Sequence, residues 1–262
     1  MKNLRKLLIS VGLMIGGLAL WWLVSIWVDN HLLLPMPTAV FAAAQRADRL
    51  PENALTTFFR VVSGWLLGVV GGASAGLYLS SRPRFLRIVS PFIEFLRPIP
   101  PVALIPFFIL WFGIGSSGQI GIISIAAFMV IFISTLTAVE NVPGAYTTAA
   151  RSFGASPVRI QFDVVLHSIQ PDLVSALRVS AALSFGIGVA AEFMGAQSGL
   201  GYMVMVAKRT LHTDVIALAT VFVAFESWLL DQWIRLIMGL LTAWAPRQVE
   251  GRSYVPELEA HT

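Results

Sequence analysis

The chain has 262 residues, of which 56% are hydrophobic and 12% charged, against roughly a quarter charged in soluble domains. That leaves too little polar surface for a water-soluble fold. The net charge of +4 fits basic loops that set membrane orientation rather than nucleic-acid binding, and the absence of cysteine excludes disulfides, thiolate nucleophiles and Cys-ligated metals.

Apolar runs of about 20 residues recur, continuous rather than alternating, so they predict an all-α integral membrane protein and not a β-barrel. Six transmembrane helices are expected. The first, over 8–28, follows Lys2, Arg5 and Lys6. It is too long for a signal-peptide core and lacks a small-x-small cleavage site, so it reads as an uncleaved span. Leu34-Pro35-Met36-Pro37 then opens an amphipathic helix over 38–49. The second span, 55–79, carries Gly64, Gly68, Gly72 and Gly76, a ladder along one helix face that lets a neighbouring backbone approach. Arg60 lies near its outer end, where a long side chain can snorkel to water.

After Ser81-Arg82-Pro83-Arg84 comes the third span, 88–113. Pro91, Pro98, Pro100, Pro101 and Pro106 make a straight helix there impossible. Broken backbone at membrane depth survives when buried or lining a cavity, so this segment is either a kinked bundle helix or part of a pathway. The fourth span is 119–139. A semi-polar island, 146–171, separates it from the fifth, 172–196, and the sixth is 214–241. The island reads as two short helices broken at Gly154–Ala155, with Ser156 as N-cap and Pro157 as first residue of the second. A compact helical knuckle in one loop suits a partner's surface. The expected organisation is one transmembrane domain over 1–262: first span and outer segment 1–50, core 51–245 with the knuckle loop 141–171, and a polar tail 246–262.

Lys2, Arg5, Lys6, Arg82, Arg84, Arg87, Arg151, Arg159, Arg247 and Arg252 fall on one side of this topology. Arg46, Arg49, Lys208 and Arg209 fall on the other. The imbalance puts both termini and the knuckle in the cytoplasm.

Charges within spans mark functional candidates. Glu192 is either a gate or pathway group, or a buried carboxylate bonded to another span or a backbone amide. Glu94 and Arg97 have the i,i+3 spacing of a local ion pair, with Arg97 otherwise free to attract an anion. Asp231 and Arg235, at i,i+4, suit a pair; Glu226 has no local partner. There is no phosphate-binding Gly-x-x-x-x-Gly-Lys-Ser/Thr, no His-Glu-x-x-His and no Gly-x-Ser-x-Gly, and the histidines lack metal-ligand spacing. The chain carries no catalytic constellation and no metal site in its sequence.

The island, with Thr148-Ala149-Ala150-Arg151-Ser152-Phe153-Gly154-Ala155-Ser156 and then Val164-Val165-Leu166, resembles the Glu-Ala-Ala loop of binding-protein-dependent ABC importer permeases. Glu94-Phe95-Leu96-Arg97-Pro98-Ile99-Pro100-Pro101, Trp111-Phe112-Gly113-Ile114-Gly115, Ala191-Glu192-Phe193 and Ser198-Gly199-Leu200-Gly201 resemble the nitrate/sulfonate/taurine branch. The resemblance covers about residues 30–245. It implies a MetI-like type I permease fold in a bacterial inner membrane. It also implies a second copy of the chain, two ATPase subunits that hold ATP and Mg, and a periplasmic substrate-binding protein. Thr148 to Pro157 would then contact the ATPase, with Phe153 as anchor and Arg151 at the rim. Glu94, Arg97, Pro98, Pro100, Pro101 and Glu192 would belong to the translocation pathway, and no cofactor would reside in this chain. Thr148 stands where the family has glutamate, His167 where proline is common, and Ser175-Ala176-Leu177-Arg178 replaces a common Gly-Leu-Arg. A different reading is a self-powered transporter coupled to protons through Glu192.

Overall fold

A computed structural model describes residues 2–30 and 32–241. Helix α1 is Lys2–Val28 and α2 is Pro37–Arg46; α3 is Leu50–Ser80 and α4 is Pro83–Leu96. A 3-10 turn, Pro101–Leu104, leads to α5, Ile105–Phe112, and α6, Ser116–Glu140. Then come α7, Gly144–Ser152, and α8, Pro157–Arg159, followed by a π turn, Ile160–Val165. The last helices are α9, Leu166–Gly195, α10, Leu200–Arg209, and α11, Thr213–Leu241.

Among the described residues four helices are long and apolar enough to cross a membrane, and the bent pair α4 plus Pro101–Phe112 makes a fifth. Over Gly12–Val28, α1 is a shorter apolar helix, so a sixth span is not established among the described residues. The tail 246–262 lies outside the described residues. The predicted second, fourth, fifth and sixth spans coincide with α3, α6, α9 and α11 to within a few residues, and the proline-rich third span is broken as its composition requires. Its two halves meet at 82°, with Pro98, Pro100 and Pro101 at or beside the corner and no amide hydrogen to carry a ladder across it.

The centre of the bundle is the α3–α6 seam. A Cβ at Gly64 would come within 2.8 Å of Ile123 Cβ, one at Gly72 within 2.7 Å of Phe128 O, and one at Gly76 within 2.7 Å of Thr135 Cβ. The glycine ladder therefore brings the two backbones into direct contact, as its spacing predicts. Val61, Ile122, Ile123, Ile131 and Phe185 are buried around this seam. Trp65 Nε1 donates to Ser180 Oγ at 2.9 Å and fastens α9 to α3. A second core, formed by Val40, Ala43, Leu50, Leu200, Leu218 and Ala219, seats α2 against α10 and α11. The outward faces are apolar, with Leu67, Leu110, Trp233 and Leu240 all exposed, which in a membrane chain is the lipid-facing or subunit-facing surface.

Two local ion-pair expectations divide. Arg235 Nε reaches Asp231 Oδ2 at 2.8 Å as the spacing predicts, and Arg178 of α9 joins the same carboxylate. Glu94 and Arg97 do not pair: both are exposed, and neither enters an ion pair among the described residues. They stand at the end of α4 where the chain turns, so the continuous helix that i,i+3 pairing presumes stops beside them.

Candidate functional site

Three arrangements carry the chemistry: a knuckle outside the bundle, a buried polar lock, and an open cavity between them.

Helix α7 leaves the bundle after Pro143 and ends at Ser152. Gly154 then turns the chain with φ +79°, in the left-handed region where glycine is free of Cβ strain. Its amide and that of Ala155 close the helix end on the Arg151 and Ala150 carbonyls. Ser156 is the N-cap of the next helix, its Oγ accepting from Arg159 N, and Pro157 is the first residue, as the sequence predicts. The second helix is not a separate short one, however. Pro157–Gly195 runs as one 39-residue helix, about 58 Å long at 1.5 Å per residue, against a hydrocarbon core of about 30 Å. The π turn absorbs the change of register, and His167 Nδ1 lies 3.0 Å from the Phe162 carbonyl. The second half of the knuckle is therefore continuous with a spanning helix.

Phe153 is 90% exposed, more than the other phenylalanine of the loop, Phe162. Thr148, Ala149, Arg151 and Ser152 are also exposed. Gln161 ties the knuckle to α3: its Nε2 donates to Leu77 O at 3.0 Å and to Ser80 Oγ at 3.2 Å. The knuckle is thus joined to α3 through this contact and to α9 through the backbone.

Glu192 sits at the opposite end of α9 and is 2% exposed. Its carboxylate accepts from Thr57 Oγ1 at 2.9 Å, Arg60 Nη1 at 3.0 Å and Gly201 N at 2.8 Å. Arg60 also donates to Ser198 O at 2.7 Å, to Ser198 Oγ at 3.0 Å and, through Nε, to Ser116 Oγ at 2.9 Å. Asn53 Oδ1 accepts from Gly199 N at 2.8 Å and Thr57 Oγ1 from Leu200 N at 2.7 Å. The first amides of α10 are therefore capped by α3 and α9, and a carboxylate lies against the helix N-terminus where its dipole favours one. Gly199 has φ +115° and a Cβ there would strike the Glu192 carboxylate; one on Gly201 would come within 2.7 Å of Glu192 Cβ. The spacing between Ala191-Glu192-Phe193 and Ser198-Gly199-Leu200-Gly201 thus has a packing cause.

Glu192 is the buried, bonded carboxylate of the two readings offered for it. Arg60 does not snorkel: at 9% exposure it turns inward, because a carboxylate, a carbonyl and two hydroxyls satisfy its guanidinium. Asn53, Thr57 and Arg60 were not singled out as a set, yet their i, i+4, i+7 spacing is a polar stripe on one face of an apolar helix and could have been read as such. Glu226 is 6% exposed with no partner for Oε2, in keeping with its lack of a local partner in sequence.

Arg97, Pro98, Pro100 and Pro101 cluster at the bend, and Glu94 precedes them. Arg97 lines an open cavity of about 410 Å³ with Ser134 and Thr137 of α6, Asn141 just past its end, and Asp172 and Ser175 of α9. Polar side chains grouped on facing spans fit a wetted surface rather than lipid. Glu192 does not line this cavity; it lies on the far side of the core. Among the described residues no group of three or more His, Asp or Glu side chains could hold a metal ion.

Residues 68–245 match the family model described as binding-protein-dependent transport system inner membrane component. The taurine transport system permease protein TauC of Escherichia coli (strain K12) is 30% identical over 249 residues, 92% of this chain and 90% of its own length. A chain of the MetNI methionine ABC transporter, crystallised in an inward-facing conformation, superposes with a TM-score of 0.59 at 25% identity. That match covers 72% of this chain and 95% of that one.

Proposed function

This chain belongs to the family of binding-protein-dependent transport system inner membrane components, and from that premise we propose that it forms the translocation pathway of an ABC importer for a small sulfonate-like anion. It works as a homodimer in a bacterial inner membrane, with both termini and the knuckle in the cytoplasm. Two separate ATPase subunits hold ATP and Mg, and a periplasmic binding protein delivers the substrate. The observation that carries this reading is the bare Phe153, held across the Gly154 turn from a helix that runs on as a membrane span. An apolar side chain held in water at the tip of a rigid lever has the form of an anchor for a pocket on another subunit.

Closure of the ATPase pair on ATP moves the knuckle. Continuity through the π turn carries that movement into α9, and the Gln161 bonds carry it into α3. The two chains rock as rigid bodies, because the glycine seam binds α3 to α6 too closely to shear, and the Glu192 lock keeps α3, α9 and α10 together at the other end. Access alternates across the cavity between α4, α6 and α9. Taurine, the substrate named for TauC, and other aliphatic sulfonates are the substrate class proposed. Arg97 supplies a cation at the bend of the pathway.

Affinity purification of the full chain from its native membrane in mild detergent is expected to recover a P-loop ATPase at one copy per copy of this chain. Phe153→Asp is expected to lose that subunit and all ATP-driven uptake in proteoliposomes, with thermal unfolding unchanged. Uptake by the isolated chain, driven by a proton gradient without ATP, would overturn the proposal.

A further inference from the structure

An apolar groove of about 350 Å³ lies between the last turns of α3, the length of α4 and the middle of α6. Tyr78, Phe85, Val89, Phe92, Phe128 and Phe132 are among its walls, and Tyr78 has the only side-chain oxygen of the lining residues. Its arginine-rich end is the corner between α3 and α4. There the Arg82 guanidinium stacks 5.8 Å from the centroid of the Tyr78 ring, and Arg84 and Arg87 bracket Phe85 along α4. All three arginines are exposed, and none forms an ion pair among the described residues.

We propose that this corner is a binding site for one anionic phospholipid, with an acyl chain in the groove and the phosphate headgroup on Arg82, Arg84 and Arg87. Apart from the Tyr78 hydroxyl at one end, the lining side chains are apolar, which suits a hydrocarbon chain and not a polar solute. The arginines add fixed positive charge at one end of it, and guanidinium groups bind phosphate bidentately. Basic residues on an amphipathic helix at the membrane surface attract anionic lipid. A second copy seated on this corner by two-fold symmetry would set the same arginines against one another. The site also touches the transmission path: Gln161 bonds to Leu77 and Ser80, in the turn immediately before Arg82.

The test is native mass spectrometry of the full-length protein in mild detergent, titrated with phosphatidylglycerol, with phosphatidylcholine of the same acyl chains, and with glycerophosphate. One phosphatidylglycerol per chain is expected, held about tenfold more tightly than phosphatidylcholine. R82Q/R84Q/R87Q is expected to erase the preference, and Val89→Trp, which narrows the groove without changing charge, to lower retention of both lipids. Equal retention of the two lipids by the wild type would reduce the site to ordinary annular contact and overturn the proposal. So would a preference that survives the triple substitution. Glycerophosphate competing as well as the lipid would show that the groove contributes nothing. Val89→Trp changing the oligomeric state while leaving lipid retention intact would assign the groove to a second copy. If the variants fail to fold, the three-ligand comparison on the wild-type protein decides alone.

Discussion

The two ends of the Pro157–Gly195 helix treat polar interruption in opposite ways. At one end Glu192 is 2% exposed with its carboxylate bonded; just before the other, across the Gly154 turn, Phe153 is 90% exposed. The first region puts a charge where water is absent, and the second puts an aromatic ring where water is abundant. Each is unfavourable alone. The Glu192 region resolves its cost within the chain, through Arg60, Thr57 and the Gly201 amide. The Phe153 region leaves its cost standing, and that is the physical sign of a missing partner. Stability should therefore reside at the lock and coupling at the knuckle, with little overlap.

The sharpest way to break that division is Gly154→Pro. Proline holds φ near −65° and cannot adopt the +79° of Gly154, so the knuckle must refold locally. Uptake in proteoliposomes containing the partner subunits is expected to vanish, while the unfolding midpoint in micelles stays at the wild-type value. A large fall in that midpoint would mean that the knuckle is part of the folded core.

Glu192→Ala should do the reverse. It leaves the Arg60 guanidinium enclosed without its carboxylate and removes the cap from the Gly201 amide. Breaking one side of a buried pair costs about 3–5 kcal/mol, readable as a shifted midpoint in denaturant titration. Wild-type stability in this variant, with uptake lost, would move Glu192 from the lock to the transport step.

Gly68→Ala tests whether the seam is as tight as it looks, since the added methyl would press on Ser124 O and Ala127 Cβ. Overpacking of this kind costs about 1–3 kcal/mol; the same denaturant titration measures it, and an unchanged midpoint would show that α3 and α6 can separate freely. The smallest effect belongs to Asp231→Asn. Its partners Arg178 and Arg235 keep 39% and 53% of their side-chain surface exposed, so solvent screening limits the loss to about 0.5 kcal/mol. A loss several times larger would promote this cluster to a second lock.

Much of this architecture follows from the sequence because membrane spans are local objects. A run of about 20 apolar residues must be a helix in lipid, a glycine every fourth residue must make a flat face, and prolines must break the third span. The knuckle is legible for the same reason: Gly154, Ser156 and Pro157 act through their own backbone. Its second helix was harder, because nothing local marks where the Pro157 helix would stop, and it does not stop before Gly195. The failed Glu94–Arg97 pair and the inward turn of Arg60 show the limit. Helical spacing says which side chains share a face; it does not say what occupies the space opposite. That Asn53, Thr57 and Arg60 meet Glu192 and the start of α10 across 132 to 146 residues of chain was settled only when α3, α9 and α10 packed together, since hydrogen bonds are fixed by distances in space and sequence separation carries no information about them.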